Sequence, residues 1–211
     1  TVEDMMAHTW RRPMSSIEDL QLRHVFIRKF GFAVCTPHAV HTLARIAPIL
    51  EIGAGSGYWS YELQQAGIDV IPTDPGTGEY YDVPECWRDC RWTTIEPLDC
   101  VQAIEKYPER NLLVVWPDLN TAWPAEALRK FHGLWVAYVG EGPGGATAND
   151  EFHALLNQVF TLDQEVTIPQ FFGLHDRLCI YRRKGGRHHD TIRGERPTRD
   201  DHSGETGLQG R

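Results

Sequence analysis

Apolar and polar positions along the chain alternate between two patterns. Residues 49–52, 111–116 and 134–139 form short, nearly unbroken apolar runs, the character of strands buried on both faces. Between such runs, apolar residues recur at helical spacing. Ile17, Leu20, His24 and Ile27 lead toward Phe30, with Ser15 and Glu18 spaced as a capping box. Thr36-Pro37 places a hydroxyl at an N-cap and proline at the first helical position, which predicts a helix to about residue 47. Further helices are predicted over 58–66, stopped by Gly67, and over 98–106, 124–131 and 149–159. Residues 69–74 read as a strand and 92–95 as a weaker one. The last two apolar runs, 164–168 and 178–182, are separated by only nine residues, too few for a crossover helix, so they should pair antiparallel. The alternation predicts an α/β, Rossmann-like, doubly wound fold with a mostly parallel seven-stranded sheet and an antiparallel last strand.

The 211 residues suit one domain, and 41% hydrophobic content supports a packed core. Three parts are expected. Residues 1–48 form N-terminal helices, residues 49–184 form the core, and residues 185–211, almost without apolar side chains, form a disordered tail. The first residues lack a secretory pattern and no apolar run reaches a membrane span, so a cytoplasmic protein is the expectation. Five cysteines at irregular spacing argue against a disulfide framework. Net charge is −8, and residues 51–184 hold ten Lys and Arg against twenty Asp and Glu. That acidic core disfavours a nucleic-acid partner. A small-molecule substrate is expected instead, with no membrane partner.

The chemistry gathers at Ile49-Leu50-Glu51-Ile52-Gly53-Ala54-Gly55-Ser56-Gly57-Tyr58-Trp59. A strand, a glycine turn and a helix N-terminus make a ligand site at the carboxyl end of a parallel strand. A dinucleotide fingerprint requires Gly-x-Gly-x-x-Gly, but counting from Gly53 puts Tyr58 where the third glycine belongs, and counting from Gly55 puts Ser60 there. The spacing is Glu-x-Gly-x-Gly-x-Gly. A carboxylate at Glu51 would repel a pyrophosphate and suits a cationic ligand. In these residues the chain resembles motif I of the class I S-adenosylmethionine-dependent methyltransferases, and the order of elements over residues 35–182 is similar to that family's sheet.

The resemblance implies S-adenosyl-L-methionine as cofactor. Gly53, Ala54, Gly55 and Gly57 would let the backbone approach its methionine part, Glu51 would hold the amino group, and Asp74, ending the second strand, would accept from the ribose hydroxyls. Asp74 alone does not discriminate, because an acid stands there in NAD enzymes too. Trp116 joins the cofactor-binding set, although packing is the commoner duty of a strand residue. It is followed by Pro117-Asp118-Leu119 where amino-group methyltransferases of nucleic acids carry an Asp/Asn-Pro-Pro-aromatic motif; this chain departs at three of those four positions, and the missing aromatic removes a base-stacking platform. Asp118 is a candidate to orient or deprotonate the acceptor, with a turn or helix-capping role as the alternative. Glu141, in the glycine-rich loop 140–145 after the fifth strand, is a second catalytic candidate and equally a solvated loop acid. Trp116-Pro117-Asp118 together with Tyr138-Val139-Gly140-Glu141-Gly142 is similar to an uncharacterised subgroup, which names no acceptor.

Cys86, Cys90 and Cys100 fit no standard zinc spacing, so no metal is expected. His175-Asp176 sits between the last two strands, where a turn role is commoner than a general base. The sequence reading is an S-adenosylmethionine-dependent methyltransferase acting on an O or N nucleophile of a small molecule. Alternatives are methylation of a protein or nucleic-acid amino group, an NAD-linked oxidoreductase, and a non-catalytic cofactor-binding scaffold.

Overall fold

A computed structural model describes residues 17–77, 87, 89–171 and 173–185. The Ser15–Glu18 capping box, Cys86 and nearly all of the C-terminal tail lie outside the described residues. Among the described residues, six helices and six strands follow in chain order: α1 Ile17–Phe30, α2 Pro37–Ala44, β1 Ile49–Ile52, α3 Tyr58–Gln65, β2 Val70–Thr73, α4 Cys100–Lys106, β3 Asn111–Val115, α5 Trp123–Lys130, β4 Trp135–Gly140, α6 Asp150–Val159, β5 Phe160–Thr167 and β6 Arg177–Arg183. The strands form one sheet in the order β2-β1-β3-β4-β6-β5. The pairs among β1 to β4 are parallel, and β6 runs antiparallel to both β4 and β5. This is the expected mostly parallel, doubly wound architecture, with six strands among the described residues where seven were expected.

The difference lies at residues 92–95. They form no strand, and the chain meets the sheet just after them through a single parallel bridge, Thr73 with Glu96, in which Glu96 N–H donates to the Pro72 carbonyl at 3.0 Å and Asp74 N–H to the Glu96 carbonyl at 3.0 Å. Trp92 N–H turns back onto the Ser56 carbonyl. Pro97 then follows, with no N–H to continue a ladder.

The apolar runs work as their pattern implies. Ile49, Leu113, Ala137 and Val139 face one layer with residues of α1, α2 and α3, whereas Leu50, Ile52, Leu112, Val114 and Val136 face the other with residues of α4, α5 and α6. All of these strand side chains are at most 1% exposed, and each large one contributes about 1.5–3 kcal/mol through burial. Local signals set several helix starts. Thr36 Oγ accepts the Ala39 N–H at 3.1 Å, and Asp99 with Gln102 forms a complete capping box on α4. Helix α2 is shorter than expected, ending at Ala44, and the chain enters β1 through a cis Ala47–Pro48 bond.

Asn111 ties three segments at the far end of the sheet from the glycine turn. Its amide donates to the Ile46 carbonyl at 2.7 Å and its oxygen accepts the Trp135 N–H at 3.0 Å. Replacing it with alanine strands both backbone groups. The expected loss is about 1–2 kcal/mol, read as a lower urea midpoint at unchanged m-value.

Candidate functional site

The parallel register puts Glu51 opposite Pro72, so the carboxyl ends of β1 and β2 lie side by side and Asp74 emerges beside the glycine turn. Within the turn, Gly53 and Gly55 take positive φ, +66° and +57°, which a side chain would strain. A Cβ on Gly53 would stand 2.9 Å from the Trp123 ring, and one on Gly55 2.9 Å from the Trp87 ring. Two indoles thus press on the turn. A Gly55→Ala change meets both penalties, so a loss of about 1–3 kcal/mol is expected, read as a lower thermal midpoint. Gly57 serves differently: its missing Cβ makes room for Thr93 and Ile95, and it does not line the cavity described below.

Asp74 is 6% exposed and binds the turn directly. One carboxylate oxygen accepts the Gly55 N–H at 3.0 Å and the other the Gly76 N–H at 2.7 Å. An amide at a strand-to-helix turn is the group that would meet a phosphate. Here the Gly55 amide is already engaged by an acid, so the turn presents negative charge. Each Asp74 oxygen keeps a further lone pair for a hydroxyl donor.

Glu51 is 1% exposed, and the Ser60 hydroxyl donates to its carboxyl from the first turn of α3. Burial pushes its carboxyl up to about 7, against the lowering effect of Ser60. A group in that state ionises readily when a cation arrives.

Both acids open on one cavity of about 460 Å³. Glu51, Gly53, Ala54, Gly55 and Asp74 line it at the glycine turn, Asp99, Cys100 and Val101 at the start of α4, Trp116, Pro117 and Asp118 beyond β3, and Trp123 and Glu126 on α5. Phe30 and Phe32, at and after the end of α1, close it together with Trp87. Segments distant in sequence therefore meet at the carboxyl end of the parallel strands, where ligands bind in such sheets.

Trp116 is held from several sides. It takes a positive φ of +49°, rare for a bulky residue, and its N–H donates to the Val139 carbonyl at 2.7 Å. Its indole N–H donates to Asp176 at 3.2 Å, and Phe32 stacks on its ring at 4.9 Å between centroids, 10° from parallel. Asp176 is 2% exposed, its carboxyl is raised by burial, and its second oxygen has no hydrogen-bond partner. The Asp118 side chain does not cap α5, which begins after Ala122 without a side-chain cap; Asp118 carries an exposed carboxylate at the cavity wall.

Glu141 is not in this cavity. Its oxygens accept the Ala146 N–H at 2.7 Å and the His175 N–H at 2.6 Å, clasping its own glycine loop to the segment before β6. It lines a separate cavity of about 340 Å³ with His153 and Cys179. The short reach of its side chain back to Ala146 explains why the acid of this loop faces away from the glycine turn. His175 is largely exposed, and Asp176, beside it, serves Trp116. Among the described residues no group of His, Cys, Asp and Glu is placed to hold a metal ion, and no helix is long and apolar enough to cross a membrane.

Sequence reasoning did not assign Ser60, Trp87, Asp99, Trp123, Glu126 or Asp176 to the site. Asp99 could have been found, because Asp99 with Gln102 marks a helix start on the ligand side of the sheet. The tryptophans come from segments whose approach to the turn has no local signal.

No protein-family model matches the chain, and no curated protein does. Among solved structures it is similar to the magnesium protoporphyrin IX methyltransferase of Synechocystis PCC 6803 with bound S-adenosylmethionine, at 14% identity over 87% of this chain and 91% of that one, with a TM-score of 0.48. An S-adenosylmethionine-dependent methyltransferase from Archaeoglobus fulgidus is similar at 14% identity, 76% and 99% coverage and a TM-score of 0.45. The 1,6-didemethyltoxoflavin-N1-methyltransferase of Burkholderia thailandensis, with bound 1,6-didemethyltoxoflavin and S-adenosylhomocysteine, is similar at 17% identity, 82% and 92% coverage and a TM-score of 0.44.

Proposed function

We propose that this chain, which has the class I methyltransferase fold, binds S-adenosyl-L-methionine and transfers its methyl group to a small molecule. The observation that carries the reading is the pairing of two buried carboxylates, Glu51 and Asp74, across a turn whose Gly55 amide is already bonded to acid. A pyrophosphate would face like charge there. A ligand with an ammonium, a sulfonium and two vicinal hydroxyls matches each group in turn.

In this reading Glu51 receives the amino group and ionises as it does so, Asp74 accepts from the ribose hydroxyls, and the backbone of Gly53 to Gly55 lies along the methionine part. The bound cofactor supplies a methyl group already activated on sulfur, so the protein's task is mainly alignment and exclusion of water. Trp116, Phe32 and Trp87 shield the cavity, and Trp116 is held by Asp176. Asp118 stands at the rim, able to take a proton from the acceptor and pass it to water. Asp99 and the first residues of α4 complete the pocket beyond the ribose.

Calorimetric titration of the folded chain with S-adenosylmethionine, S-adenosylhomocysteine and NAD tests this. Saturable heat is expected with the first two and none with NAD. A folded sample that gives no heat with S-adenosylmethionine overturns the reading.

A further inference from the structure

The charge and chemistry of the cavity wall point to a particular acceptor, an inference that rests on the methyltransferase reading. Five carboxylates line the cavity among the described residues, and no Lys, Arg or His does. The cavity itself is given by the fold; the carboxylates fix its sign. A carboxylate, phosphate or phenolate acceptor would enter a desolvated space lined by like charge, with no Lys, Arg or His among the described lining residues to offset it. Neutral hydroxyl acceptors gain nothing from the charge of this wall, which favours a cation.

Beyond the groups assigned to the cofactor, the wall includes the aromatic side chains Phe32, Trp87, Trp116 and Trp123 and the carboxylates Asp118 and Glu126. Aromatic faces with flanking carboxylates are the surroundings that hold an organic cation. We infer that the methyl acceptor is an amine, recognised as its cation between the aromatic wall and the carboxylates Asp118 and Glu126. The alkylammonium sheds one proton to water at the open rim beside the exposed Asp118 before transfer. The freed nitrogen lone pair forms the new N–C bond as the S–C bond breaks, and the S–C electron pair stays on sulfur as a neutral thioether. One positive charge moves from sulfur to nitrogen and stays inside the same ring of carboxylates, so the field that holds the cofactor also holds the product.

The test separates this inference from the reading it rests on. Binding of S-adenosylhomocysteine is measured first; its failure sinks the cofactor assignment. The protein saturated with S-adenosylhomocysteine is then titrated with benzyltrimethylammonium and with benzoate. Benzyltrimethylammonium is expected to bind roughly tenfold or more tighter than benzoate, as for a cation on a desolvated aromatic face. Asp118→Asn and Glu126→Gln should each weaken the cation roughly two- to fivefold, the order of one exposed charge pair, with S-adenosylhomocysteine affinity retained. In turnover with S-adenosylmethionine, mass spectrometry should find methyl on benzylamine and not on phenol or benzoate. Benzoate binding as tightly as the cation, absence of cation binding to the saturated protein, or methylation of phenol at the rate of benzylamine overturns the inference.

Discussion

Replacing Asp74 with alanine weakens S-adenosylmethionine binding by about 1–3 kcal/mol, roughly tenfold to a hundredfold in Kd, and destabilises the free protein as well. Two losses are superimposed. The ribose hydroxyls lose a charged acceptor, and the Gly55 and Gly76 N–H groups lose theirs, at 3.0 and 2.7 Å. Gly55 is buried, so its orphaned amide costs the fold about 1–3 kcal/mol in its own right. An Asp74→Asn variant separates the effects, because its amide oxygen still accepts one N–H while the charge is gone. Its thermal midpoint should lie between those of the parent and the alanine variant, with binding still reduced. Parent-like affinity for S-adenosylmethionine in both variants would falsify the role given to Asp74.

Glu51 should make both stability and binding depend on pH. Its carboxyl titrates near 4.5 in the unfolded chain and at about 7 in the folded one. A group held more tightly protonated when folded favours folding at low pH, so its contribution is complete below about 4.5 and is lost as pH rises through about 7. The loss is about 3 kcal/mol at most, since each pKa unit is worth about 1.4 kcal/mol. Denaturant midpoints should fall across that window, and a Glu51→Gln variant should lack this part of the slope. Ligand binding has the opposite dependence. An ammonium placed at Glu51 favours the carboxylate, so binding near pH 6 releases a proton and affinity grows toward pH 8. Calorimetry in phosphate and in Tris, whose ionisation heats differ, reads that proton directly. Equal heats in the two buffers at pH 6 would show that Glu51 does not meet the cation.

The legible part of the fold was the part set by local rules. Strands β1, β3 and β4 are buried on both faces, so their apolar runs stood out, and Thr36 marked its helix through a neighbour three residues away. The run at 92–95 misled because its side chains pack on the glycine turn and α1: Trp92 donates to the Lys29 carbonyl and Ile95 fills the space at Gly57. At the site, Glu51 and Asp74 were legible from the ends of adjacent strands, and Asp118 from the end of β3. Trp87 and Trp123 were not, since nothing near them in sequence says that their rings cover Gly55 and Gly53. The bond from Trp116 to Asp176 spans 60 residues and depends on β6 reaching the sheet beside β4. Glu141 was placed in the right loop, but which way a loop acid turns is decided by the backbone amides within reach, here those of Ala146 and His175.

The single bridge that replaces a seventh strand leaves β2 as the border of the sheet, and a border strand is ordinarily a template on which another chain can build. Here little of the template is open. Pro72 has no N–H, its carbonyl is taken by Glu96, the Asp74 N–H is given to the Glu96 carbonyl, and the Val70 carbonyl accepts the Gln64 side chain at 3.4 Å. Glu96 is itself anchored by Lys106 and Tyr107, each at 2.6 Å. Proline and a short latch thus guard the flank nearest Asp74 against strand addition between copies, a protection against aggregation that a full extra strand would only have moved one position outward.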